Sequence, residues 1–178
     1  MTAAALPHRN TITPRLPALD IATLGAVLTA GAFATIAFDL FGQMISPLLS
    51  ALQPLFGAKL APVGLANGVI AAVTGLEGKT ISSNGLGYGL HVVTGLLAYP
   101  TGYLVLRTVA NQIAPALPWW ALAVGYGVAL WVLALFVMAH LVVGMPAFLG
   151  FTGITWVALW GHILFALVAA ATLRARGF

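Results

Sequence analysis

Four stretches of this chain run almost without charge, and that pattern dictates what it can fold into. They cover residues 21–44, 84–106, 119–143 and 149–173. At ~1.5 Å rise per residue, about 20 apolar residues in a helix cross a hydrocarbon layer of about 30 Å. Each stretch reaches that length. Only 6% of the residues are charged, against about 25% in an ordinary soluble domain, and 61% are hydrophobic. A water-soluble fold could not solvate such a surface. The expected architecture is therefore all-α, an integral membrane bundle of four spanning helices, with the lipid bilayer as its first partner.

The few charges set a topology. Residues 1–20 carry Arg9, Arg15 and three prolines, and read as a short cytoplasmic tail. A cleaved signal peptide is not expected, because the run after Asp20 is long enough to span. Between the first two runs lies 45–83, with Pro47, Pro54, Pro62, Lys59, Lys79 and Glu77. Its apolar part, 63–76, is short for a span and is expected to re-enter or lie at the interface. Four spans place Arg9, Arg15, Arg107, Arg174 and Arg176 on one side, with Lys59 and Lys79 on the other. The positive-inside rule then puts both termini, including the tail 174–178, in the cytoplasm, here that of a bacterium. The formal net charge of +4 sits at the ends of apolar runs, so it marks orientation and not a nucleic-acid surface. The absence of cysteine excludes disulfides, iron–sulfur ligation and thiolate zinc sites.

Small residues mark where helices meet. Ala22, Ala26, Ala30 and Ala34 recur every fourth residue in the first span. Gly85 and Gly89 form a small-xxx-small pair in the second, where Gly87, His91, Gly95 and Ala98 continue a narrow face. Such stripes let membrane helices approach closely. Pro100 is expected to kink the second span, and Trp119 with Trp120 to mark an interface.

Ionisable residues inside apolar runs are costly, and this makes them the candidate site. The topology puts Asp39, His91 and His140 in one outer layer, with His162 a turn or more deeper. Asp39 shares a face with Thr35 and Gln43. His91 shares one with Gly87, Thr94 and Gly95, and His162 with Thr155, Ala158, Ala166 and Ala169. These three are expected to look into the bundle, while the facing of His140 stays open. The plainest role is hydrogen bonding between helices. A cofactor role would use His91 with His162 as axial ligands of haem b, or Asp39, His91 and His140 around a small ion such as copper. A third role is a proton or solute pathway through Asp39 and His91. Met44, Met138 and Met145 lie near the outer layer as possible soft ligands, with gap-filling as the commoner use of methionine. Gly85, Gly87 and Gly89 lack the strand and the Lys-Ser/Thr that a phosphate loop requires. Catalytic triads, paired carboxylates and zinc-protease motifs are absent, and Glu77 is the single glutamate.

Gly87, His91, Gly95 and Tyr99 in the second span, Gly127, Trp131, Val137 and Met138 in the third, and Leu159 with His162 in the fourth form a pattern. On these residues the chain resembles the YagU-like small inner-membrane proteins of bacteria. His140 departs from it, standing where an apolar residue or proline is expected. The resemblance implies a four-helix bacterial membrane protein and no particular activity. The functional expectation is a non-catalytic accessory or structural subunit of a larger membrane complex, or a homo-oligomer. The alternatives are a small haem- or metal-binding membrane protein and a small transporter or channel.

Overall fold

A computed structural model describes residues 18, 20–49, 60–75 and 84–178. The N-terminal tail with Arg9 and Arg15 lies outside them, as do Pro54, Lys59, Glu77 and Lys79. Among the described residues every regular element is helical. Four helices are long and apolar enough to cross a membrane: α1 (Ile21–Leu48), α3 (Gly85–Ile113), α4 (Trp119–Val142) and α5 (Gly153–Ala175). At 23 to 29 residues they measure about 34 to 44 Å. A shorter apolar helix, α2 (Pro62–Thr74), sits between α1 and α3 in sequence and would extend about 20 Å.

Local chemistry explains most boundaries. Asp20 caps α1: its Oδ1 accepts a hydrogen bond from the Thr23 backbone N–H at 2.8 Å. That donation holds the Asp20 carboxyl below its ordinary value of 3.8. α2 starts on Pro62, whose missing N–H costs nothing in a first turn, and ends at Gly75 with φ +66°.

Two prolines fall inside helices, and the same device accommodates each. A π-helical turn, Phe41–Ile45, precedes Pro47, and another, Thr94–Ala98, precedes Pro100. Proline offers no N–H and its ring collides with the carbonyl four residues back. In the widened turns the bonds reach five residues back instead, from Ser46 N–H to Phe41 and from Tyr99 N–H to Thr94. The helices continue through both. α1 runs four residues past the expected end at Met44, and α3 runs to Ile113, beyond the expected end at Leu106.

α5 is the core of the molecule: 50% of its apolar window is buried, against 22% for α3 at the periphery. Its most extensive packing is with α1 and α4. Ala26, Ala30 and Ala34 of α1 are buried as the stripe predicts, while Ala22 is exposed at the helix start. α1 and α3 cross at glycines. A Cβ on Gly31 would lie 2.4 Å from the Leu96 carbonyl oxygen, and one on Gly95 would lie 2.2 Å from Thr35 Oγ1. Leu96 is the residue whose carbonyl Pro100 leaves without its usual donor, and the glycine lets α1 close over it. α4 meets α5 at Gly127 in the same way, against the backbone of His162 and Ile163. The expected Gly85–Gly89 contact does not form. Both glycines are exposed, and Gly89 faces open space.

Successive long helices run antiparallel. One end holds Asp39 with His91. At the other, Arg107 donates to the Phe178 main-chain oxygen, Arg174 lies 6.0 Å over the Trp119 ring and Tyr103 reaches the Trp119 carbonyl. Large apolar side chains such as Phe33, Ile36, Val93, Val105 and Leu141 point outward. Apolar exposure around the whole circumference suits a hydrocarbon solvent, and four such helices suggest a multi-pass membrane protein.

The junction of α4 and α5 departs from expectation. α5 starts at Gly153, not at residue 149, because Ala147–Phe151 forms a short turn of opposite hand. Phe148, Leu149, Gly150 and Phe151 all have φ between 49° and 67°. Left-handed backbone costs an L-residue about 1–2 kcal/mol. The segment is held by the Thr152 hydroxyl on the Leu149 carbonyl, the Thr155 hydroxyl on the Phe148 carbonyl, and Phe148 packed on Trp131 with centroids 4.6 Å apart.

Candidate functional site

The singled-out polar residues distribute themselves around one feature. At the Asp39 end, the long helices and α2 line a half-open cavity of about 500 Å³. Its wall takes Thr35 and Phe38 from α1, Leu65 and Val69 from α2, and His91, Thr94 and Tyr99 from α3. Leu133 and Met138 come from α4, and Ala158, His162 and Phe165 from α5. The wall is predominantly apolar.

Asp39 and His91 meet as their shared depth predicts. His91 Nε2 lies 3.2 Å from both carboxylate oxygens, so the ring N–H is shared between them. The contact joins α1 to α3. His91 is the more enclosed partner, with its side chain 15% exposed against 35% for Asp39. The His91 ring faces the cavity while Asp39 stands behind it.

His162 is buried at 6% exposure, on the face expected for it, with Thr155, Ala158, Ala166 and Ala169 all buried beside it. Its Nδ1 lies 2.7 Å from the Ala158 carbonyl oxygen. A carbonyl can only accept, so Nδ1 carries the hydrogen. The later start of α5 lifts His162 toward His91, reducing the expected difference in depth. The Phe38 ring packs against both imidazoles, with its centroid 5.1 Å from that of His162 and 6.3 Å from that of His91.

His140 is not part of this group. Its Nδ1 donates to the Met145 carbonyl at 2.8 Å and its ring lies against Phe136, which ties off the end of α4 locally. Among the described residues no three of His, Cys, Asp or Glu gather closely enough to hold a metal ion. The triad Asp39, His91 and His140 is thus reduced to a pair. Met138 and Met145 reach the cavity wall, whereas Met44 is exposed.

The Asp39 face also breaks earlier than its spacing predicts. Thr35 points inward, but Gln43 is exposed and Gly42 takes the buried position against Leu60. The buried line of α1 runs Ala30, Ala34, Phe38, Gly42 at helical spacing, one residue off the line of Asp39 and Gln43. Thr35 Oγ1 is buried against Gly95 with no hydrogen-bond partner among the described residues.

Sequence reasoning missed Phe38, Phe165 and the role of α2 in lining the cavity. No local signal distinguishes a wall phenylalanine from a lipid-facing one. No protein-family model matches the chain, and neither a curated protein nor a solved structure is similar to it.

Proposed function

We propose that this is a multi-pass membrane protein that holds an apolar, lipid-soluble molecule in the cavity beside α2, acting as a binding protein and not as a catalyst. The observation that supports this is the cavity itself. At about 500 Å³ it falls within the roughly 300–1,000 Å³ of small-molecule sites, which are apolar with a few placed polar groups. In this reading Asp39 holds the His91 ring against the wall, and Phe38 packs against both His91 and His162. The setting is a bacterial cytoplasmic membrane with both termini inside, by the clustering of Arg107, Arg174 and Arg176 at one end.

The test is photolabelling of the full chain in nanodiscs with a diazirine-bearing alkane. Labels are expected on Leu133, Met138 and Phe165 above the level at lipid-facing Phe33. Ala158→Leu, which fills the wall from α5, should abolish the cavity labels and spare Phe33. Uniform labelling of all apolar positions, unchanged in Ala158→Leu, would dismiss the site.

A second reading, an accessory subunit of a larger membrane complex or a homo-oligomer, is favoured by α3. This helix is buried over only 22% of its apolar window, and Gly89 on its outer face meets open space. A small residue on an uncovered face lets another helix approach. Co-purification with a second membrane protein in native-membrane nanodiscs, lost in Gly89→Leu, supports it; a solitary monomer there counts against it.

A further inference from the structure

Resting on the cavity reading above, we infer that the molecule it takes is a neutral lipid alcohol, whose hydroxyl donates to Nε2 of His162. His162 is more than nine-tenths buried and lies on the cavity wall. Its Nδ1–H is spent on the Ala158 carbonyl at 2.7 Å, so in the neutral ring Nε2 is a lone-pair acceptor. No described residue donates to it, and it is not among the wholly enclosed polar atoms without a partner, so it keeps some surface open on an otherwise buried residue. A hydroxyl donated to it adds one net hydrogen bond.

The remaining wall narrows the chemistry. None of the described wall residues is Lys or Arg, so a carboxylate or phosphate head group would lie unpaired in an apolar pocket. A ketone or ester only accepts, and so cannot pair with a second acceptor. Water would satisfy Nε2 but would leave the predominantly apolar wall unfilled, whereas an apolar chain bearing a hydroxyl fills it. An uncharged O–H on an apolar chain meets every one of these conditions. Thr94 and Tyr99 place two further polar side chains on the same wall, from α3.

The experiment compares two photoreactive probes in the full chain in phosphatidylcholine nanodiscs: a diazirine-bearing hexadecan-1-ol and its methyl ether. They match in chain and in oxygen but differ in the donor. The alcohol is expected to label Leu133, Met138 and Phe165 roughly 3- to 10-fold more than the ether, the range one net hydrogen bond supplies. His162→Leu should bring the alcohol down to the ether, while His162→Gln, which keeps an acceptor, should retain most of the difference. Equal labelling of the wall by both probes in the unmodified protein overturns the hydroxyl and leaves the cavity standing. Absence of wall labelling by either probe overturns the cavity reading and this inference together. Should His162→Leu fail to fold, the comparison of alcohol with ether in the unmodified chain decides alone.

Discussion

Asp39 and His91, 52 residues apart, share one ring N–H between two carboxylate oxygens, each 3.2 Å away. The contact fastens α1 to α3 beside the cavity, whose wall includes His91. Its worth is limited by exposure, since Asp39 keeps 35% of its side chain open and the pair is partly screened. Polar contacts between membrane helices average about 0.6 kcal/mol and reach about 1.7. A double-mutant cycle of Asp39→Ala and His91→Ala, read by reversible unfolding in mixed micelles, should give a coupling of about 0.5–1 kcal/mol. Strict additivity of the two single variants would show that the contact contributes nothing.

The α1–α3 crossing makes a sharper prediction, because its two glycines meet different neighbours. A Cβ on Gly95 collides with a side-chain atom, Thr35 Oγ1, whereas one on Gly31 collides with the Leu96 backbone. Gly95→Ala should therefore be destabilising and should be rescued largely by Thr35→Ala. Gly31→Ala should be destabilising without rescue by any side-chain deletion on α3. Unfolding midpoints of the single and paired variants check this. A silent Gly31→Ala would mean that the α1 and α3 backbones do not meet at Gly31.

Asp20 gives the pH dependence a direction. Its carboxyl is held below 3.8 by the Thr23 N–H. A folded value below the unfolded one means the cap contributes fully above the unfolded value and is lost as pH falls through the folded one. Hydrogen-exchange protection of the Thr23 amide should be flat above pH 4 and fall below it. In Asp20→Ala it should be low and independent of pH across the same window. A Thr23 amide equally protected in both chains would dissociate the cap from the start of α1.

How much of this was legible in the sequence depends on whether the helix ran unbroken. The buried face of α5, with Thr155, Ala158, His162, Ala166 and Ala169, followed from simple periodicity because nothing interrupts that helix. The Asp39–His91 meeting followed from depth and facing together, since depth by itself also grouped His140, which bonds the Met145 carbonyl instead. Gln43 was misassigned because the polar line Thr35, Asp39, Gln43 was taken as the inward face, whereas the buried line runs through Ala34, Phe38 and Gly42. Gly85 and Gly89 were misread because small residues look alike whether they face a helix or open space. The start of α5 was misplaced because three non-glycine residues occupy left-handed backbone, which no propensity favours. The cavity was invisible, being the joint product of five helices of which α2 alone is too short to span.

Phe38 bears on the cofactor question directly. Its ring packs against both imidazoles, at 6.3 Å from His91 and 5.1 Å from His162, and any plane laid against either ring competes with it for that contact. The His91 Nε2 is moreover engaged by Asp39. Protein purified from cells supplied with haem and copper should therefore show no sharp α-bands on dithionite reduction, and metal well below one equivalent. Stoichiometric haem that disappears in His91→Ala would require Phe38 to swing out, and would replace the apolar ligand with a cofactor.

The left-handed turn between α4 and α5 separates strain from packing within four residues. Phe148 and Phe151 both adopt φ near 50°, so glycine at either position removes about 1–2 kcal/mol of backbone cost. Their rings differ in what they support. Phe148 lies 4.6 Å from Trp131 and 5.5 Å from Phe136, and aromatic pairs of this kind contribute about 0.5–1.5 kcal/mol each beyond area burial. Phe151 is 58% exposed, with ring contacts to Phe148 at 5.3 Å and Trp156 at 6.3 Å. Phe151→Gly should therefore lower the unfolding midpoint less than Phe148→Gly does, since less burial is lost against the same relief of strain. Phe148→Gly should lower it, since the lost stacking and burial outweigh the relieved strain. Gly150→Ala, which adds a Cβ at φ +67°, should lower it by about 1–2 kcal/mol with no ring lost at all. If Phe148→Gly proves the more stable of the two phenylalanine variants, strain and not the Trp131 contact governs the turn. Leu149 would then reach the cavity wall against a backbone preference, unsupported by the ring beside it.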